Sequence, residues 1–223
     1  MLRLPRYGAI NLHPSLLPRY RGRAPINWAI LHGETELGLT AHVVDAGIDS
    51  GEIVTQRRYT LTQEQDVGDA LRLLYPLYAD ITTQVLRELK AGRVFRTPQN
   101  HADATTFPRR TPEEGAIEWN VPAREVWNFI RAVAAPYPGA FTSAGDGVIR
   151  IWRANGIERF ASGAAPQPGE VLCINRDATE LMVACADAAL LIQIFELEGG
   201  ATLPRVGDRL TLADPATVDF LSQ

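Results

Sequence analysis

Asn11-Leu12-His13-Pro14-Ser15-Leu16-Leu17-Pro18-Arg19-Tyr20-Arg21-Gly22 is the stretch on which the reading of this 223-residue chain turns. Ala9 to Leu12 are small or apolar apart from Asn11 and read as the last residues of a buried strand. Residues two apart in a strand face the same way, so Asn11 and His13 share a side. Pro14 and Pro18 stop regular structure at once, which puts that polar pair at a strand end, where open α/β sheets receive ligands. A second stretch has the same form. Leu39 to Val44 is strand-like and runs into Asp45-Ala46-Gly47-Ile48-Asp49-Ser50-Gly51, an acidic loop punctuated by glycine. Two polar clusters at two strand ends predict one crevice.

Asn-x-His followed by Ser-Leu-Leu-Pro-x-x-x-Gly, with Asp-x-Gly-x-Asp-x-Gly beyond it, resembles the catalytic core of the formyltransferases that use 10-formyltetrahydrofolate. The resemblance implies an enzyme with Asn11, His13 and Asp49 as its catalytic triad, Asp49 lying 38 residues beyond Asn11. It implies an α/β fold, namely the C-terminal portion of a Rossmann-like formyltransferase domain followed by a small OB-like β-barrel domain. It makes 10-formyltetrahydrofolate the co-substrate. In the family a nucleotide-fold half precedes this asparagine, and Leu4-Pro5-Arg6-Tyr7-Gly8 looks like the segment just upstream. The chain is therefore expected to be N-terminally truncated, with part of the folate pocket in the missing half, which puts the activity of this chain alone in question. The resemblance also implies a cis Leu17–Pro18 peptide.

The residue types suit that chemistry. Moving a formyl group to an amine needs attack on an amide-like carbonyl, stabilisation of negative charge on its oxygen, and removal of a proton from nitrogen. Asn11 offers an amide N–H to the developing oxyanion. His13, with an ordinary pKa near 6.5, suits proton transfer or hydrogen-bond donation. Asp49 can orient His13 and favour its protonated form. Neither a metal nor a covalent nucleophile is required. Ser15 lacks an obvious base, His42 reads as a structural strand histidine, His32 and His101 as exposed loop residues, Glu34 and Glu36 as a solvated turn, and Asp49 is favoured over Asp45 by the motif register.

Composition, 46% hydrophobic and 22% charged, is that of an ordinary globular chain and excludes a disordered or fibrous class. No apolar run approaches the roughly 18 residues of a membrane span, and Pro5 and Arg6 interrupt any signal-peptide core. Cys173 and Cys185 have neither metal nor redox spacing, which fits two inert thiols in a reducing cytoplasm.

After Gly22, Pro25 and Gly33 bound a short helix with Ile26, Ala29 and Ile30 inward. Ile53 to Tyr59 reads as a strand. Val67, Leu71, Leu74, Tyr78, Ile81, Val85 and Leu89 then step by three or four along one long helix, kinked near Pro76 and ended at Gly92. Residues 1–95 thus form the partial catalytic domain. Residues 96–114, rich in Thr, Pro, Asn, Asp and Arg, read as an interdomain linker. Residues 115–223 hold a helix over about Pro122 to Val133 and strands at Val148–Arg153, Glu170–Asn175, Leu181–Ala184 and Ala189–Glu196, with turn residues between them. That is a small barrel pattern, with Gly207-Asp208-Arg209-Leu210 at a late turn.

Phe107-Pro108-Arg109-Arg110-Thr111-Pro112 carries adjacent arginines that can grip phosphate or carboxylate, a solvated pair being the alternative. Together with Ile117-Glu118-Trp119, Ile130-Arg131-Ala132-Val133, Pro136-Tyr137-Pro138-Gly139-Ala140-Phe141 and Arg23, this region resembles the amino-sugar branch of the family, especially the branch acting on UDP-4-amino-4-deoxy-L-arabinose. The resemblance implies that Arg109 or Arg110 binds a nucleotide diphosphate. Charge points the same way. From Glu114 onward eight arginines face fourteen carboxylates, a net charge of −6, and the chain's one lysine is Lys90. A tRNA-holding domain should be basic. A nucleotide-linked amino sugar with a folate donor is therefore the expected substrate pair. Formylation of initiator Met-tRNA, hydrolysis of the folate, or a non-catalytic remnant that binds nucleotide or a partner are the alternatives, and oligomeric state is not legible.

Overall fold

The computed structural model describes residues 8–93, 95–161 and 165–218. Leu4 to Tyr7, read above as the segment upstream of the site, lie outside them. The chain falls into two units: everything up to Ala29 together with Glu34–Arg110, and Ile30–Gly33 together with the chain from Thr111 onward.

In the first unit, β1 (Ile10–His13) is followed by a two-residue strand β2 (Arg21–Gly22), helix α1 (Pro25–Leu31, its last two residues grouped with the second unit), β3 (Glu36–Val43), β4 (Ile53–Thr60) and helix α2 (Val67–Lys90). β1, β3 and β4 form an antiparallel sheet in that order. Asn11 lies opposite His42, and His13 opposite Thr40. Residues directly opposite share a face of the sheet, so His42 stands on the Asn11 side. Because the pair is antiparallel, β3 ends beside the start of β1, and the acidic loop returns to Asn11. In α1, Ile26, Ala29 and Ile30 are buried and Gly33 follows with φ +76°, as its pattern predicts.

Helix α2 packs on β3 and β4 through Val67, Ala70, Leu74, Ile81 and Val85. Asp66 and Asp69 cap its start reciprocally, each side chain accepting from the other's backbone N–H. It runs unbroken from Val67 through Pro76 to Lys90. Gly92, at φ +67°, follows it.

The stretch after α2 is aperiodic, as its composition predicts, yet it is tied to the sheet. Thr97 and Ile53 exchange backbone hydrogen bonds of 2.8 Å. β5 (Thr106–Phe107) runs parallel to β2, with Arg21 N–H donating to the Thr105 carbonyl and Arg23 N–H to that of Phe107. Gly22 is needed there: its φ is +92°, and a Cβ would lie 2.4 Å from the Phe107 carbonyl oxygen.

The second unit holds α3 (Ala123–Val133), β6 (Ala140–Ala144), β7 (Gly147–Arg159), β8 (Val171–Ile174), β9 (Leu181–Ala184) and β10 (Ala188–Glu198). The strands form one antiparallel sheet in the order β6-β7-β10-β9-β8. Residues 207–211 close it into a barrel. Thr211 pairs with Ser143 on one edge strand, and Arg209 with Glu170 at the foot of the other. The buried core draws on α3 (Val126, Trp127, Ile130) and on Ile149, Ile151, Leu181, Val183, Leu190 and Ile192 from the sheet. Within this unit Trp119 Nε1 donates to Thr142 Oγ1, which donates to the Thr211 carbonyl. β6, absent from the sequence reading, is five residues of small and aromatic side chains directly after a Pro-Gly turn.

Among the described residues, no helix is long and apolar enough to cross a membrane.

Candidate active site

Asn11, His13 and Asp49 come together. Asn11 Nδ2 lies 3.4 Å from Asp49 Oδ1, and His13 Nδ1 lies 3.5 Å from Asp49 Oδ2. Strand alternation puts Asn11 and His13 on one side, and the loop after β3 carries Asp49 to both. The turn that delivers Asp49 is held by Asp45, whose Oδ1 accepts from Gly47 N–H and from the Ser50 hydroxyl, contacts that hold its carboxyl below the usual carboxylate range. Asp45 thus builds the loop while Asp49 reaches the cluster. Asp49 itself has φ +49°, a left-handed conformation that aspartate tolerates.

Each carboxylate oxygen of Asp49 has its own partners. Oδ2 accepts the Gly22 N–H at 2.9 Å and faces His13, while Oδ1 accepts from Asn11 and faces His42 Nε2 at 3.4 Å. A fourth member therefore joins the three, since Asn11 Nδ2 also lies 3.2 Å from His42 Nε2. His42 Nδ1 is 2.9 Å from the Val43 carbonyl, which requires a proton on Nδ1 and leaves Nε2 to accept from Asn11. Both N–H bonds of the Asn11 amide are then directed, one to His42 and one to Asp49. The sequence reading assigned His42 to structure; the signal that could have found it is the β1–β3 register, which one strand alone does not disclose.

His13 is 5% exposed, and its Nε2 donates to the Tyr20 carbonyl at 2.7 Å. Nδ1 of the neutral ring is then a lone pair facing the Asp49 carboxylate. Two acceptors 3.5 Å apart repel, and a proton on Nδ1 turns the pair into an attraction. Burial lowers the His13 pKa from its ordinary 6.5, and His42 adds to the lowering; the Tyr20 carbonyl and Asp49 oppose it. The resting ring is thus a base with one free nitrogen, aimed at a carboxylate that stabilises the proton once taken.

The Ser15-to-Gly22 loop holds this geometry. The Leu17–Pro18 peptide is cis. Ser15 Oγ donates to the Arg19 carbonyl, a structural role, and Thr40 Oγ1 donates to the Ser15 carbonyl while accepting from Leu17 N–H. Tyr20, with φ +58°, turns its carbonyl onto His13. Glu34, read from sequence as part of a solvated turn, pairs instead with Arg19 and accepts the Tyr20 hydroxyl, and burial with that contact pushes the phenol up to about 12.

Arg109 is exposed. Arg110 stands at the end of an aromatic ladder that begins at the cluster. Its guanidinium lies 5.1 Å over the Trp28 ring, Trp28 stacks on Phe107 at 5.0 Å, and Phe107 stacks on Tyr20 at 5.3 Å.

Two family models match the chain. One, described as formyl transferase, covers residues 1–74, and the other, described as formyl transferase, C-terminal domain, covers residues 109–205. A methionyl-tRNA formyltransferase from Caldanaerobacter subterraneus subsp. tengcongensis is 39% identical over 199 residues. The match takes in 89% of this chain and 62% of that relative, so the chain spans less than two thirds of the relative's length. An N-formyltransferase from Helicobacter canadensis, solved in complex with folinic acid and dTDP-3-aminofucose, has a TM-score of 0.67 at 20% identity, over 84% of this chain and 66% of that one. A methionyl-tRNA formyltransferase from Clostridium thermocellum has a TM-score of 0.58 at 23% identity, over 86% of this chain and 69% of that one. At such identities the two structures speak to the fold, a Rossmann-like α/β part followed by a small antiparallel barrel.

Proposed function

Because this chain belongs to the formyltransferase family, we propose that Asn11, His13 and Asp49 transfer a formyl group from 10-formyltetrahydrofolate to the primary amine of a nucleotide-linked amino sugar. The observation that carries the transfer is the convergence of the three side chains, Asn11 and His13 each lying within 3.5 Å of Asp49. Attack of an amine on the formyl carbon makes a C–N bond and places negative charge on oxygen. Asn11 then redirects one N–H from its long contacts with His42 and Asp49 to that oxygen, the stronger acceptor. His13 Nδ1 takes the proton released by the attacking nitrogen, and Asp49 holds the imidazolium formed. Return of that proton to the folate nitrogen lets the old C–N bond break. The folate donor is a substrate here, and a family member in complex with folinic acid supports its choice.

Charge favours a small anionic acceptor. The stretch from Glu114 onward carries −6, a poor surface for tRNA phosphates, whereas the Arg109-Arg110 pair suits a diphosphate. We assign that pair to the acceptor, residues 1–95 to catalysis, 96–114 to a connection that is folded onto the catalytic unit as far as Arg110, and 115–223 to the barrel, and place the reaction in the cytoplasm. Initiator Met-tRNA is the second reading, favoured by the 39% identity to a methionyl-tRNA formyltransferase. Product analysis by mass spectrometry decides between them, with a panel of UDP- and dTDP-linked 4-amino and 3-amino sugars beside initiator Met-tRNA. Formylation of a sugar supports the proposal; formylation of the tRNA alone overturns the acceptor assignment.

A further inference from the structure

Gln99 is one of the few buried polar residues of the first unit, 6% exposed, and its side chain is fully used. Nε2 donates to the main-chain carbonyls of Asp49 at 2.8 Å and Gly51 at 2.7 Å. Oε1 accepts from Arg21 twice, from Nε at 3.2 Å and from Nη2 at 2.5 Å. Arg21 is itself buried, and its Nη2 also lies 3.2 Å from His101 Nδ1. The residue after Arg21 is Gly22, whose N–H binds Asp49 Oδ2.

We propose that Gln99 is a positioning residue for Asp49: it clamps the backbone of the Asp49 turn to the Arg21–Gly22 strand, so that the carboxylate meets the Gly22 N–H and His13 together. The physical case is that Asp49 sits in a left-handed conformation in a loop bounded by glycines, which has little intrinsic preference for that geometry. Without the clamp, its carbonyl and that of Gly51 would be left to seek other donors. A primary amide is the side chain suited to the place, since it supplies two donors on one side and an acceptor on the other. Glutamate would keep the Arg21 contacts but turn an oxygen towards two carbonyls. Methionine would keep the length and lose both sets.

The role attributed to Asp49 rests on the formyl-transfer reading, but the clamp can be tested in the resting protein without turnover. The probe is the His13 titration, followed through its ring nitrogens by NMR, with Asp49→Asn as the reference. His13 faces Asp49 and His42 as titratable neighbours. Loss of the Asp49 charge should lower the His13 midpoint by about one pH unit. If Gln99 holds Asp49 in place, Gln99→Glu and Gln99→Met lower it in the same direction, and adding either to Asp49→Asn has little further effect. Variants that fold and titrate as the wild type overturn the proposal. Should neither fold, the wild-type Gln99 amide protons carry the test: slow exchange of both supports the clamp, and exchange at the rate of a free side chain overturns it. Failure of the wild-type protein to transfer formyl, with both Gln99 variants lowering the His13 midpoint as expected, would count against the proposed function and leave the clamp standing.

Discussion

Asn11 faces His42 directly across the β1–β3 register, with Nδ2 of one 3.2 Å from Nε2 of the other. His42 is 2% exposed and its other nitrogen is bound to a carbonyl, so its acceptor is fixed in place. Replacing it with leucine removes one of the two acceptors that orient the Asn11 amide. We expect His42→Leu to lower the rate of formyl transfer roughly tenfold at unchanged acceptor KM, and to cost about 1–2 kcal/mol of stability through the lost buried hydrogen bonds. Steady-state kinetics and urea unfolding measure the two effects separately.

The His13 pKa is lowered in the folded chain, chiefly by burial. Well above pH 6.5 the ring is neutral in both folded and unfolded chains and contributes no pH dependence. As the pH falls through that value the unfolded chain takes up the proton first, so stability drops, and the loss levels off below the folded midpoint. His13→Gln should therefore flatten the acid side of the stability curve from about pH 7 downward. Denaturant titrations at several pH values check this, and the acid limb of kcat/KM in the wild type should fall below pH 6.5.

Much of the site was legible because it is local. Asn11 and His13 are two apart in a strand, and Asp49 lies in a loop whose glycines mark it. What escaped is what register and long-range pairing decide. His42 joins the cluster only because β1 and β3 pair as they do. Gln99 lies in a stretch with no periodicity, and its meaning comes from carbonyls about fifty residues away. In the barrel, α3 and β9 match their patterns closely. β7 runs on to Arg159, past a register shift at Gly156 after which the pairing with β10 resumes at Ile157. β6 escaped because Ala140 to Ala144, directly after a Pro-Gly turn, show no apolar–polar alternation.

Gly22 is constrained twice, by φ +92° and by the Phe107 carbonyl at 2.4 Å from any Cβ. Gly22→Ala must part β2 from β5 and move the N–H that binds Asp49 Oδ2. We expect a cost of at least about 2 kcal/mol and loss of most activity, with the melting temperature and the transfer rate as readouts.

Arg150 is fully buried in the second unit and meets Glu198 twice, Nε to Oε1 at 2.5 Å and Nη2 to Oε2 at 2.8 Å. Glu198→Gln leaves a buried guanidinium without its carboxylate, which should cost about 3 kcal/mol. Arg150→Met, which removes the charge as well, should cost less. Urea unfolding of the two variants gives the order.

The most direct test of the central claim is single-turnover formyl transfer from 10-formyltetrahydrofolate by Asn11→Ala, His13→Ala and Asp49→Asn, each shown to fold by circular dichroism. If the three side chains act together on the formyl carbonyl, each variant loses about 10² or more in rate, and the double variants lose little beyond the worse single one. Folded variants that transfer formyl at the wild-type rate would contradict the account.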